Sequence, residues 1–264
     1  PRKGYYIDGV RVPSVTQVLA LAAFTPSDAL CSWASKVAKA PVHKLLDEWR
    51  EGGIERWSGS PVRELDEALS AGDWRAVRNR AGLVGSTIHD AIEGYPNLPP
   101  EKPELTTEEW TRVTGAWEAH GEWVARRRPK VLLQELHLVS KELRSGGTPD
   151  LVLKVEDVPY LTDHKSSKNI DAKAIAQVGA YAFMVKEVTG VQVAGGIIFH
   201  HPAPDSPAGK RYIKESGAPF KAIPLSPAHL NAGLETYRHL RAIYDLVPVL
   251  RNATGTPEWL GRES

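Results

Sequence analysis

Residues 146–181 constrain the fold more than any other part of this chain. Two adjacent glycines precede Asp150, and residues 151–155 (LVLKV) then form a run rich in β-branched and apolar side chains. Residues 156–159 look like a turn, and residues 160–165 form a second strand candidate. The segment from 170 to 188 has helical character. This order predicts a β-hairpin followed by a helix, and the hairpin would bring Asp150 and Asp163 close together.

The second strand carries charged side chains at alternate positions. Successive side chains of a strand face opposite sides, so Asp163 and Lys165 share one face while His164 points to the other. Carboxylates are preferred ligands of hard divalent cations such as Mg²⁺, and the His164 carbonyl oxygen can join them. A lysine beside the cation can orient or deprotonate a water, or stabilise charge on a phosphate. The pattern therefore predicts metal-dependent hydrolysis of a phosphodiester.

Further polar residues follow on the predicted helix and on the segment that leads to it. Gln177 and Tyr181 are one helical turn apart and face the same side, so we expect them to line the site. Their alternative role is ordinary packing. Lys168 and Lys173 lie close in sequence to Asp163 and Lys165, and we expect them to contact substrate phosphates.

These residues resemble the active-site motifs of the PD-(D/E)XK nuclease superfamily, and most of all its RecB-like and Cas4-like exonuclease branch. The resemblance rests on Gly147, Asp150, Asp163, Lys165, Gln177 and Tyr181. That branch also carries a glycine–histidine motif on an upstream helix, and the segment GSTIHDAIEGY supplies Gly85, His89 and Glu93. Several relatives hold an iron–sulfur cluster on four cysteines, but Cys31 is the one cysteine of this chain, which excludes such a cluster.

The resemblance implies a role for each of these residues. Asp150 and Asp163 would be the central metal ligands, His89 a further ligand and Lys165 the catalytic lysine. Gln177 and Tyr181 would line the site or contact DNA near the scissile phosphate. Glu135 lies where many relatives carry an acidic residue, and we include it as an additional site residue.

The expected function is that of a DNA exonuclease that acts on single-stranded DNA or on free DNA ends, with one or two Mg²⁺ or Mn²⁺ ions. The resemblance also suggests DNA repair or recombination in the cytoplasm of a bacterial or phage-infected cell. Three alternatives stay open. They are a non-catalytic nucleic-acid-binding member of the same fold, a structure-specific endonuclease, and a metal phosphoesterase of small nucleotides. Polarity, DNA or RNA preference, and oligomeric state are open as well.

Composition sets wide bounds. The chain has 264 residues with 42% hydrophobic content, enough for a sizeable core. Its formal net charge of +1 argues mildly against tight non-specific duplex binding, although a local basic groove is compatible with it. No run approaches the roughly 20 apolar residues that a membrane-spanning helix needs, and no apolar signal-peptide core is present, so we expect no membrane partner.

The remaining pattern predicts an α/β fold. A central mixed β-sheet flanked by helices would form a restriction-endonuclease-like core over residues 129–264. A hairpin and a helical portion over residues 1–128 would contribute the histidine motif, and we expect the two portions to form one compact unit. The elements we expect are a hairpin at 5–12, helices at 15–23, 27–50 and 73–94, a helix capped by Thr107, strands at 131–140, 148–155, 160–165 and 191–200, a helix at 170–188, short strands at 210–213 and 220–223, and a last helix that Ser226 caps.

Overall fold

A computed structural model describes residues 4–21 and 73–252, together with residues 36, 39–45, 47, 48, 51 and 67. The helix predicted at 27–50 lies largely outside the described residues, and Cys31 lies outside them entirely. The chain divides into two compact units, one of residues 1–22 and 88–264 and the other of residues 23–87. The division predicted at residue 128 stays a prediction.

The described elements alternate between strands and helices along the chain. In chain order they are β1 (Tyr5–Ile7), β2 (Val10–Val12), α1 (Val15–Leu19), α2 (Trp74–Glu93), α3 (Thr107–Arg127), β3 (Lys130–Gln134), β4 (Leu138–Ser140), β5 (Ser145–Gly147), β6 (Leu151–Val155), β7 (Val158–Lys165), α4 (Ala172–Thr189), β8 (Gly195–His200), α5 (Pro207–Ser216), β9 (Lys221–Leu225) and α6 (Pro227–Asn252). Within the described residues, no helix is long and apolar enough to cross a bilayer.

A five-stranded mixed sheet is the centre of the fold, in the order β3-β6-β7-β8-β9. Strands β6 and β7 form the predicted antiparallel hairpin, and β7 pairs in parallel with β8. Helix α4 makes the crossover between β7 and β8, as a parallel connection requires. The predicted fold class, a central mixed sheet flanked by helices with an N-terminal helical part, is confirmed.

The N-terminal hairpin turns where the sequence predicted. Asp8 and Gly9 both have positive φ, 48° and 79°, as a two-residue turn between right-twisted strands favours. Ser14 then caps α1 in a reciprocal arrangement with Gln17, which satisfies backbone donors at the helix start. A second two-stranded sheet joins β4 to β5, so the strand predicted at 131–140 is in fact two separate strands, β3 and β4.

Two further local predictions need correction. Residues 210–213 were predicted as a strand but lie inside helix α5, because Ser206 accepts a hydrogen bond from the Gly209 N–H and Pro207 occupies the first turn. Helix α3 is capped by Thr106 rather than Thr107. The Thr106 side chain bonds to the Glu109 N–H while the Glu109 carboxylate bonds back to the Thr106 N–H.

The main core lies between the sheet and helices α1, α4 and α6. It includes Leu161 and Ile198 from the sheet and Met184 from α4, all fully buried. Helices α4 and α6 approach closely because glycines face each other. A β-carbon on Gly179 would lie 2.5 Å from the Leu230 carbonyl oxygen, and one on Gly233 would lie 2.4 Å from the Ile175 carbonyl oxygen. This packing fixes α4 against the end of β7 that carries the charged residues.

Candidate active site

The two predicted acids lie side by side at the open end of the β6–β7 hairpin. Leu151 pairs with Thr162 in this antiparallel ladder, so Asp150, one residue before β6, lies across from Asp163. The Asp150 carboxylate accepts a hydrogen bond of 2.9 Å from the His164 backbone N–H. The hairpin that the sequence predicted therefore places one carboxylate against the strand that bears the other.

Asp163 is buried, with 2% of its surface exposed, and its partner is Lys165. The Lys165 Nζ atom lies 2.5 Å from Asp163 Oδ2. The angles of this contact do not meet hydrogen-bond criteria. Among the described residues, Asp163 Oδ2 therefore has an ion pair with Lys165 but no hydrogen bond. Burial raises the pKa of Asp163 above its ordinary value, and Asp150 adds to that shift while Lys165 opposes it.

Helix α4 adds the two residues that the sequence predicted for this side. Lys165 Nζ donates to Gln177 Oε1 at 3.3 Å, so one ammonium joins the buried acid to the helix. Tyr181 is buried one turn further on, and burial raises its pKa above the ordinary value despite a hydrogen bond with Gln177. A β-carbon on Gly147 would lie 2.3 Å from the Tyr181 ring, which explains a glycine at that position.

His89 reaches the acids from helix α2. Its Nε2 atom lies 3.1 Å from Asp150 Oδ2, and its Nδ1 atom lies 2.6 Å from Glu93 Oε1. Burial lowers the pKa of His89, but hydrogen bonds and charges from Asp150 and Glu93 outweigh that effect and raise it to about 10. One ligand atom from each of His89, Glu93 and Asp150 lies within 4.8 Å of the other two, a spacing compatible with a shared cation.

Glu135 lies beside this group, at the end of strand β3. Its backbone N–H donates to the Asp150 carbonyl at 2.9 Å, and its backbone has a positive φ of 44°. A hydrogen bond and charge repulsion from Glu93 raise the pKa of Glu135 to about 6. Glu93 and Asp150 thus contact His89 directly, and Glu135 joins the group through Glu93.

The two lysines predicted to contact phosphates lie at the edge of the site. Lys168 is exposed in the segment between β7 and α4, and Lys173 is half-buried in the first turn of α4. Neither forms an ion pair with any residue that the structure describes. The structure brings together Asp150, Asp163, Lys165, Gln177, Tyr181, His89 and Glu135, and leaves Lys168 and Lys173 outside that set of contacts.

Sequence reasoning missed Glu93 as a partner of His89 and missed a second group of titratable residues. The i, i+4 spacing on a helix was the available signal for Glu93. The second group consists of His120 on α3, His164 on β7 and His201 after β8, and all three are buried. Strand β8 ends at His200, so His201 is the first residue after it. Spacing gives no signal for this group because its members come from three elements.

Burial disfavours the charged form of the imidazoles in that second group. It lowers the pKa of His120 to about 4 and those of His164 and His201 well below the ordinary value, and neighbouring histidines add to the last two shifts. The rings of His164 and His120 pack against Phe199, with centroid distances of 5.0 Å and 5.1 Å, and the His201 ring lies 4.9 Å from that of Phe220.

Comparison with protein-family models and with curated proteins finds no match for this chain. The arrangement of side chains described above therefore carries any functional conclusion.

Proposed function

We propose that this protein is a metal-dependent DNA nuclease of the PD-(D/E)XK type, nearest to the RecB-like exonucleases. One observation carries the proposal. The acids Asp150 and Asp163, the lysine Lys165 and the histidine His89 meet at one end of the β6–β7 hairpin. Acids and a lysine in contact at the end of a hairpin are the groups that cleavage of a phosphodiester requires.

The donor set fits a divalent cation. Asp150 and Glu93 offer carboxylate oxygens within 4.8 Å of the His89 ring nitrogen, and Asp163 adds a buried carboxylate whose Oδ2 atom pairs with Lys165. The N–H and C=O of one strand residue point to the same edge, so the His164 carbonyl faces the side on which its N–H meets Asp150. Oxygen-rich donors of this kind suit Mg²⁺ or Mn²⁺, and one or two ions would bind here.

A bound Mg²⁺ or Mn²⁺ ion would supply a more acidic water and stabilise charge on the phosphate and the leaving oxygen. The protein's own groups do the rest. Asp150, Asp163 and His89 would hold the ion, with Glu93 orienting the His89 ring through its other nitrogen and Glu135 as a nearby acid. Lys165 is held between Asp163 and Gln177, a position from which its ammonium can orient the attacking water and stabilise the phosphate.

DNA ends are the substrate we propose, with single strands favoured. A formal net charge of +1 gives little general attraction for duplex DNA. Lys168 and Lys173 flank the site with ammonium groups that bind no described acid, and they would contact the phosphates near the end of a strand. A nuclease of this kind would act in the cytoplasm of a bacterial or phage-infected cell, where its DNA substrate lies.

Cleavage of end-labelled DNA tests the proposal. Purified protein with Mg²⁺ or Mn²⁺ should shorten a labelled single strand from one end, and Asp163→Asn should slow this by at least about 100-fold because a buried metal ligand is lost. Asp157→Asn is the matched control, since Asp157 lies fully exposed in the turn of the same hairpin and should leave the rate unchanged.

Each alternative gives a different result in the same assay. Internal cuts in circular or end-blocked DNA would indicate an endonuclease. Binding of labelled DNA without cleavage under any metal would indicate a non-catalytic nucleic-acid-binding protein. Hydrolysis of mononucleotides but not of oligonucleotides would indicate a small-nucleotide phosphoesterase. The proposal is wrong if the Asp163→Asn protein cuts DNA as fast as the wild type.

A further inference from the structure

Three histidines from separate elements converge on one buried point. His120 comes from α3, His164 from β7 and His201 from the residue after β8. Their exposed fractions are 4%, 6% and 2%, and one ring nitrogen from each lies within 4.8 Å of the other two. Residues on a helix, on a strand and just after another strand meet this closely only through the tertiary fold, so the convergence is a property of the packed protein.

The ring nitrogens of this cluster lack partners. Among the residues that the structure describes, the Nδ1 atom of His120 and both nitrogens of His164 and His201 are buried without a hydrogen bond. A buried polar group without a partner is destabilising, and a single ion could take one nitrogen from each ring, which would satisfy three of these five atoms.

His200 shows that the same fold can satisfy a buried histidine. It is 1% exposed, and its Nδ1 lies 3.1 Å from the Tyr212 hydroxyl while its Nε2 lies 2.8 Å from the Ser167 carbonyl. Its neighbour His201 is equally buried but has neither contact. His200 therefore completes a hydrogen-bond network, whereas the ring nitrogens of the three clustered histidines lie close to one another without hydrogen-bond partners.

Aromatic packing accounts for the rings but not for their nitrogens. His164 stacks on Phe199, and His201 lies 4.9 Å from the ring of Phe220. Phenylalanine at all three positions would give the same apolar contacts without a desolvation cost. One cation lies nearby, but the Arg112 guanidinium donates to the backbone oxygens of Ser166 and His201, so it satisfies main-chain carbonyls rather than the rings.

We propose that His120, His164 and His201 form a second metal site, which binds a transition-metal ion of the Zn²⁺ class. Neutral imidazole suits Zn²⁺, Co²⁺, Ni²⁺ or Cu²⁺, whereas Mg²⁺ and Ca²⁺ prefer oxygen. Nitrogens of a tetrahedral zinc site lie about 3.3 Å apart, so the rings need only a small inward movement from the 4.8 Å limit. Water would take the fourth position.

The position of this site suggests what the ion does. It would join α3 to strands β7 and β8 and hold His164, whose neighbours in sequence are Asp163 and Lys165 on the opposite face of the strand. His201 also lines a cavity of about 470 Å³ together with Arg112 and Pro202, so one member of the cluster borders that cavity. The site is separate from the group of His89, Glu93 and Asp150, and the inference does not depend on nuclease activity.

Zinc binding to the full chain tests this inference. Protein stripped with a chelator is titrated with Zn²⁺ in excess Mg²⁺, which competes for oxygen ligands but not for imidazole. The wild type should bind one tight equivalent, and His120→Phe or His201→Phe should weaken that binding by at least about 100-fold, more than the loss of an outer partner causes. The phenylalanine ring keeps the packing, and His239→Phe on the exposed face of α6 is the control that should bind as the wild type does.

X-ray absorption of the zinc-loaded wild type provides a readout that needs no variant. Three imidazole ligands should dominate the spectrum, and thermal unfolding should shift upward as free Zn²⁺ rises. A spectrum of mainly oxygen ligands with one imidazole would place the ion at His89 and overturn the inference. The inference also fails if the wild type takes up no tight zinc, or if the His120→Phe and His201→Phe proteins bind it unchanged.

Discussion

Three consecutive residues of β7 present different chemistry to the two faces of the sheet. Asp163 and Lys165 form an ion pair on one face, and the His164 ring packs against Phe199 on the other. The alternation of side chains along a strand is a local property, and for that reason the sequence predicted it. Which partner the His164 ring would meet depends on α3 and β8, so its contacts were beyond sequence reasoning.

Glu93 lies in the candidate centre, although the sequence analysis assigned it no role there. Its carboxylate lies 2.6 Å from His89 Nδ1, so it orients the ring whose other nitrogen meets Asp150. We expect Glu93→Gln to raise the Mn²⁺ concentration for half-maximal cleavage by about 10-fold, as loss of a partner of a ligating histidine does. The measurement is a Mn²⁺ titration of cleavage rate.

Asp90→Asn is the control for that prediction. Asp90 lies on the same helix, but its carboxylate is exposed and pairs with Lys102 at 3.0 Å. Its loss should leave the Mn²⁺ requirement unchanged. Equal Mn²⁺ requirements for the Glu93→Gln protein and the wild type would show that Glu93 has no part in holding the ion.

Tyr237 gives a prediction about alkaline stability. It is fully buried, its hydroxyl donates to Ser145 Oγ at 2.7 Å, and burial raises its pKa to about 12. Since the folded pKa exceeds the unfolded value of about 10, the protonated phenol stabilises the fold below pH ~10, and that stability is lost as pH rises toward ~12. Tyr237→Phe removes this contribution.

Urea unfolding of both proteins measures the effect. Between pH ~9.5 and ~11 the wild type should lose about 1 kcal/mol more unfolding free energy than Tyr237→Phe. Other buried tyrosines, such as Tyr181, are present in both proteins and cancel in the comparison. Parallel losses in the two proteins would mean that Tyr237 titrates normally in the folded state.

Helices α5 and α6 begin with the same local signal, a serine followed by a proline, but only the start of α6 was predicted from it. Ser226 followed by Pro227 predicted the start of α6, and the helix begins there. Ser206 followed by Pro207 begins α5 in the same way, yet residues 210–213 were assigned to a strand. A capping serine with proline at the first helical position is a local signal, so this element was predictable.

The contact between α4 and α6 gives a prediction about stability at this scale. A methyl group on Gly179 would meet backbone atoms of α6 at 2.5 Å, so the two helices would have to separate. We expect Gly179→Ala to lower the unfolding free energy by about 1–3 kcal/mol, as overpacking does.

Gly115→Ala on α3 is the matched substitution. A β-carbon there meets no atom within 4 Å, so alanine should stabilise the protein by about 0.5–1 kcal/mol through helix propensity. Chemical denaturation of the two variants and the wild type gives both values. A Gly179→Ala protein as stable as the wild type would contradict the close packing of these helices.

In the molecule as a whole, the sequence predicted the central strands and their crossover helix better than the contacts of the elements around them. The hairpin, the crossover helix and the cluster of Asp150, Asp163, Lys165, Gln177 and Tyr181 all derive from one continuous stretch, in which local patterns decide the structure. His120 and His201 lie far from that stretch in sequence, and their meeting depends on packing that no local pattern records. The strand order, which places β3 beside β6 and β9 beside β8, also depends on packing that no local pattern records.

The proposed function gives Lys165 a direct role in metal-dependent cleavage. Two lysine variants test that role. Lys165→Met and Lys154→Met are compared in single-turnover cleavage of end-labelled single-stranded DNA with Mn²⁺, alongside binding of the same DNA. Lys154 lies on the adjacent strand, where it pairs with Asp157 at 3.0 Å near the turn, away from Asp150 and Asp163.

We expect Lys165→Met to cleave at least about 100-fold more slowly while binding DNA within a few-fold of the wild type. Lys154→Met should cleave at the wild-type rate. Cleavage by Lys165→Met as fast as by Lys154→Met, or no cleavage by the wild type itself, would contradict the claim.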